Sequence, residues 1–213
     1  MSLLLASRRV VMGGGGEPRR VEPAIVAVEG ARVADLRTLE GEDYEGAVAA
    51  AGAASPEAEL RDFGDRLLTP AFVNAHTHLA LGFLRGAPPP DALRGNMVRQ
   101  FYFGIESRLG PGDVEAFSRM GAYESLLQGV GLVWDHYYHG VAVARALVAT
   151  GLAGVVAPTL QDLDGPGVAA CDAQLEATEE IAGSDYFAAR GVFATWFDRQ
   201  SFNAGTRQTI WLG

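Results

Sequence analysis

The run Asp65-Arg66-Leu67-Leu68-Thr69-Pro70-Ala71-Phe72-Val73-Asn74-Ala75-His76-Thr77-His78-Leu79 decides how this chain is read. Pro70 has no N–H for a sheet ladder and biases the preceding residue toward extended backbone, so it marks a boundary. Ala71 to His78 then reads as an apolar strand. Side chains two apart on a strand share a face, so His76 and His78 present two imidazoles to one side, with Phe72 and Asn74 below them. Imidazole suits Zn2+ or Fe2+. A catalytic zinc takes three protein groups and keeps one position for water, so two histidines are an incomplete set. A bare H-x-H is, as a short motif, more often structural or incidental. Its position raises its interest, because parallel α/β folds bind ligands at the C-terminal ends of their strands.

Downstream of this run, strands and helices alternate. Residues 87–96 form a loop, and Asp113, after Pro111-Gly112, suits a helix N-terminus. Ala116, Met120, Tyr123, Leu127 and Val130 follow the spacing of an apolar helical stripe. Strands are expected at Leu132 to His136, Gly154 to Leu160 and Gly191 to Trp196. Between them lie helices from Val141 to Thr150 and from the Asp164-Gly165-Pro166-Gly167 turn to Ile181. Such alternation implies a parallel sheet. Four strands do not separate an open doubly wound sheet from part of a barrel, and no G-x-G-x-x-G supports a dinucleotide site.

Upstream, residues 1–69 read as a small β-rich unit. Gly13 to Gly16 suit a hairpin loop better than a phosphate cradle, which needs a following lysine. Ala24 to Val28 and Ala31 to Leu36 form two short strands around Glu29-Gly30. Gly46 to Ala58 is a surface excursion or a short helix.

Composition narrows the function classes. The 213 residues carry a net charge of −9, and all 17 basic residues are arginine. Schiff-base, phosphate-loop and metal-bridging lysines are therefore excluded. The acidic balance argues against nucleic acid, which needs a clustered cationic surface. No apolar run approaches the ~18 residues of a membrane span. A single cysteine, Cys171, forbids an internal disulfide and makes a reducing cytoplasm the default location. Cys171 itself is expected to pack as a small hydrophobe.

The run from Asp65 to Leu79, continuing to Leu84-Arg85-Gly86, closely resembles the first barrel strand of the amidohydrolase superfamily. The nearest branch is the chlorohydrolase and aminohydrolase group, which includes guanine deaminase and methylthioadenosine/S-adenosylhomocysteine deaminase. Pro70-Ala71 replaces the usual Pro-Gly. The resemblance continues through Ile105-Glu106-Ser107-Arg108-Leu109 and Trp134-Asp135-His136-Tyr137-Tyr138 to about residue 196.

It implies an α/β fold: a partial TIM (β/α) barrel over 70–196, preceded by part of a small β-sandwich over 1–69, with an atypical tail at 197–213. His76 and His78 match the first two ligands of one divalent metal, zinc first and iron second. Glu106 falls where these deaminases have a substrate-contacting glutamate, with a plain surface carboxylate as the alternative. His136 and Tyr138 resemble the substrate-side D-H-x-Y, with a hydrogen-bonded core histidine as the alternative for His136. Solvent is the expected partner of His139.

The implied reaction is hydrolysis of a C–N bond other than a peptide bond. Metal-activated hydroxide would deaminate a small cyclic amidine such as a purine, pyrimidine or triazine. An imidazolone or peptide-like amide is the other substrate class.

The family's later ligands and proton shuttles have no counterpart here. No histidine follows His139, and Thr195-Trp196-Phe197-Asp198 stands where Gly-Pro-His is expected. The residues after Pro70 also fall short of the ~250 of a full barrel. The expectation is a truncated or frameshifted N-terminal portion with no identifiable catalytic residue of its own. A homo-oligomer of two half-barrels would still lack those groups. The competing hypothesis is a noncatalytic remnant, or a small α/β binding protein with a vestigial histidine pair.

Overall fold

Strand β1 (Ser2–Gly14) pairs antiparallel with β2 (Glu17–Glu29), and Gly16 lies in the turn that leads into β2. β2 turns at Gly30 into antiparallel β3 (Arg32–Thr38). Asp43 caps helix α1 (Tyr44–Ala54) by accepting the Gly46 N–H at 3.1 Å, a bond of ~1 kcal/mol. Short strands β4 (Glu59–Asp62) and β5 (Leu67–Leu68) return parallel to β1. The sheet runs β3-β2-β1-β4, with β5 also on β1. Ala6, Ile25 and Leu39 close its core against Tyr44 and Val48 of α1.

This computed structural model describes residues 2–14, 16–161 and 165–194. The chain divides after Pro70 into two units. The expected tail at 197–213 lies outside the described residues, as do Thr195 and Trp196 of the fourth expected strand and the side chain of Cys171.

The second unit begins with β6 (Phe72–Thr77), which leads into a 3-10 turn over Leu79–Leu84. Beyond 3-10 and π turns lie the short α2 (Phe103–Glu106) and the long α3 (Pro111–Leu127). Asp113 accepts the Gly110 N–H at 2.9 Å and so ties off the start of α3. Then come β7 (Val130–Tyr137), α4 (Gly140–Thr150), β8 (Ala153–Pro158), α5 (Cys171–Ala182), α6 (Asp185–Ala188) and β9 (Val192–Ala194). Gly151 ends α4 in the left-handed region at φ 75°, where a Cβ would be strained.

The four strands are parallel in the order β6-β7-β8-β9. This order is sequential, without the reversal that defines a doubly wound sheet. One face packs on the helices. Val133, Val156 and Val192 of the sheet meet Val114 of α3, Val143 and Leu147 of α4, Ile181 of α5 and Phe187 of α6. Each such side chain, fully buried, stabilises by ~2 kcal/mol.

Two local expectations are overturned. Met120, Tyr123 and Leu127 of the apolar stripe are 59%, 54% and 84% exposed; α3 buries Val114, Ser118 and Ala122 instead. Small residues allow the close approach: a Cβ on Gly121 would stand 2.5 Å from the Leu79 carbonyl oxygen. In β6, a register shift between Asn74 and Thr77 breaks the two-residue alternation. Asn74 therefore lines the groove beside α3 together with Thr77, away from the pocket that His76 lines.

Candidate functional site

The C-terminal ends of β6 and β7, with Thr159 just past β8, surround a pocket of about 340 Å³. His76 is the exposed member, near the end of β6. His78 follows the strand, half-buried, at the start of the 3-10 turn. Their ring centroids lie 5.1 Å apart, and His136 lies 5.5 Å from His78. Glu106 arrives from α2, 9% exposed, and so is not a surface carboxylate. Tyr138 completes the set. All five residues expected at a site thus line this one pocket.

The hydrogen bonds are specific. His78 donates from Nδ1 to the His136 carbonyl, leaving Nε2 as its remaining nitrogen. One residue on, Leu79 N–H donates to Asp135 Oδ2 at 2.6 Å. Tyr138 OH donates to Gln161 Oε1 at 3.2 Å, and the same oxygen accepts Gly167 N–H at 2.7 Å. His139 does not look to solvent. It is half-buried, its backbone is left-handed at φ 54°, and Nε2 bonds the Leu109 carbonyl at 3.3 Å.

Burial sets the protonation states. Desolvation raises Glu106 to about 7, opposed by the Tyr137 hydroxyl. It raises the wholly buried Asp135 to about 7, opposed by the Leu79 N–H. His136 falls to about 3, through desolvation first and then the neighbouring imidazoles. His78 is lowered by desolvation, with its bond to the His136 carbonyl acting the other way. Both shifts favour the neutral imidazole at His78 and His136, the form that can bind a cation. Desolvation likewise keeps the Tyr137 and Tyr138 hydroxyls protonated.

Two imidazoles suit a divalent cation in chemistry, and both line the one pocket. Among the described residues, no group of three or more His, Cys, Asp or Glu side chains is arranged to hold one. Sequence reasoning missed Asp135, Tyr137, Gln161, and the wall made by Leu81, Val98, Tyr102 and Phe103. Asp135 carried a signal: it falls two residues after Val133 on the strand, hence on the same, core-facing side.

No protein-family model matches the chain. It is 31% identical over 167 residues to a 5-methylthioadenosine/S-adenosylhomocysteine deaminase of Symbiobacterium thermophilum, covering 76% of this chain and 36% of that protein. Its fold matches an adenosine deaminase from Xanthomonas campestris with bound zinc. There the TM-score is 0.64 at 18% identity, over 91% of this chain and 42% of the other. It also matches guanine deaminase from C. acetobutylicum with bound guanine, at TM-score 0.65 and 13% identity, over 92% and 46%. The chain is thus similar, in sequence relatives and in fold, to enzymes of the amidohydrolase superfamily. It spans about a third of the length of the first of these relatives.

Proposed function

We propose that this chain is the N-terminal portion of a metal-dependent hydrolase that deaminates a small cyclic amidine, with a purine nucleoside or base as the preferred class. The observation that carries this is the single pocket onto which His76, His78, Glu106, His136 and Tyr138 converge. Its position at strand C-terminal ends, and the sequential parallel order of β6 to β9, support a partial (β/α) barrel. The N-terminal sheet would be part of a small β-sandwich. Relatives and fold neighbours named for deamination of adenosine-like compounds and guanine favour the purine class.

His76 and His78 would hold the cation, zinc first. When bound, a divalent cation supplies a Lewis acid that polarises the reacting centre and acidifies water. The protein's own groups do the rest. His78 is oriented by its bond to the His136 carbonyl. Glu106, poised near neutrality, can donate a proton or hydrogen bond to a ring nitrogen, or accept one from it. Tyr138, held by Gln161, and the Tyr102-Phe103 wall would orient a planar ring and limit water around it.

Ammonia release from methylthioadenosine, S-adenosylhomocysteine, guanine and a triazine tests this, using protein expressed from the reading frame continued past Gly213. Activity on a purine that is lost in H76A and H78A supports the reading. Absence of ammonia from all four substrates, with zinc present, sinks it.

A further inference from the structure

Asp135 is 0% exposed, on the core-facing side of β7. A carboxylate there loses its hydration, at a cost of several kcal/mol unless partners replace it. Only half of that replacement is in place. Oδ2 accepts the Leu79 N–H at 2.6 Å, while Oδ1 is buried without a hydrogen-bond partner among the described residues. Core stability alone would be served better by an apolar side chain of similar size.

The geometry around that one bond gives Asp135 a purpose. Consecutive residues of β7 grip consecutive residues after β6, in reciprocal fashion. The Asp135 side chain takes the Leu79 backbone N–H, and the His136 backbone carbonyl takes the His78 side chain. On its carbonyl side, Leu79 is pressed against Gly121 of α3. His78 is therefore fixed at its ring and at the peptide that follows it.

We infer that Asp135 is a positioning residue: by holding the Leu79 N–H it keeps His78 on the His136 carbonyl through Nδ1, so that Nε2 is the nitrogen presented to a cation. This deepens the proposed function, since it rests on His78 being a ligand. It assigns Asp135 no contact with metal or substrate. Groups that orient a metal-binding histidine typically govern affinity ~10–100-fold.

The test uses the 213-residue chain in three forms: wild type, D135A and D135N. Asparagine keeps an oxygen for the Leu79 N–H; alanine does not. The His78 ring tautomer, read from nitrogen-15 shifts without metal, should be Nδ1–H in wild type and D135N and become mixed in D135A. Co2+ affinity should fall at least ~10-fold in D135A and stay near wild type in D135N. L147A, destabilised in the same core, should leave the tautomer unchanged, which separates positioning from general loosening.

An unchanged His78 tautomer in D135A, or D135N as impaired as D135A, overturns the inference. If wild type takes up no Co2+ while the tautomer still responds to D135A, the positioning stands and the metal role of His78 falls. Should D135A not fold, hydrogen exchange at the Leu79 amide decides: protection in wild type and D135N supports the bond, and free exchange overturns it.

Discussion

The two faces of the β6–β9 sheet differ more than any other pair of regions in the second unit. Toward the helices, Val133, Val156 and Val192 are wholly buried. On the opposite face, Val73 and Phe193 are 63% and 52% exposed, although strand alternation supplies both faces with apolar residues. One face is a finished core. The other leaves apolar side chains open on both edge strands, β6 and β9, while Leu132, Trp134 and Val155 between them are half-buried. The polar pocket sits at the rim of this sheet, where burial is sufficient to shift proton affinities but access remains.

The largest expected effect is on the finished face. Leu147→Ala should cost ~3 kcal/mol in a urea melt, because Leu147 is fully buried between α4 and the sheet. A loss under ~1 kcal/mol would mean that this face repacks freely and the contrast is overdrawn.

At the rim, Glu106→Gln should stabilise the chain as pH rises. The wild-type carboxyl titrates near 7 folded and near its usual 4.5 unfolded, so the unfolded state holds fewer protons between those values. Stability is then lost as pH rises through that window. Against wild type, the variant should gain nothing below pH 4.5 and up to ~3 kcal/mol above pH 7. Melts across pH 4 to 8 check both limbs, and parallel curves would contradict the burial of this carboxyl.

Tyr138→Phe should cost about 1 kcal/mol, the value of one neutral hydrogen bond to Gln161. Smallest is Val73→Thr on the open edge strand β6, within ~0.5 kcal/mol. A loss of ~2 kcal/mol there would show that something covers this edge in solution.

What could be read in advance follows the range of each interaction. The H-x-H pair at the end of an apolar strand, the hairpin around Gly30 and the Gly151 stop are local signals, and all lie where local rules put them. Interactions between distant segments were not legible. His139 finds its partner at Leu109, thirty residues back, and no hydropathy pattern announces a carbonyl. The burial of Glu106 depends on how the turns after residue 90 fold over the pocket.

Asn74 was assigned the wrong face because one bulge reverses parity for everything beyond it. The buried side of α3 was missed for a related reason. Ser118, Gly121 and Ala122 make it a close-packing surface, and a search for large apolar residues finds Met120, Tyr123 and Leu127 on the exposed side instead.

The narrow gap between Gly121 and the Leu79 carbonyl makes α3 a sizing gauge for the site. One added methyl would push the peptide after His78 off Asp135 without touching anything that lines the pocket. A random screen for weakened Co2+ uptake should therefore return hits at Gly121, on a helix that contributes no residue to the pocket. Such variants would keep every pocket side chain and differ only in where one imidazole points.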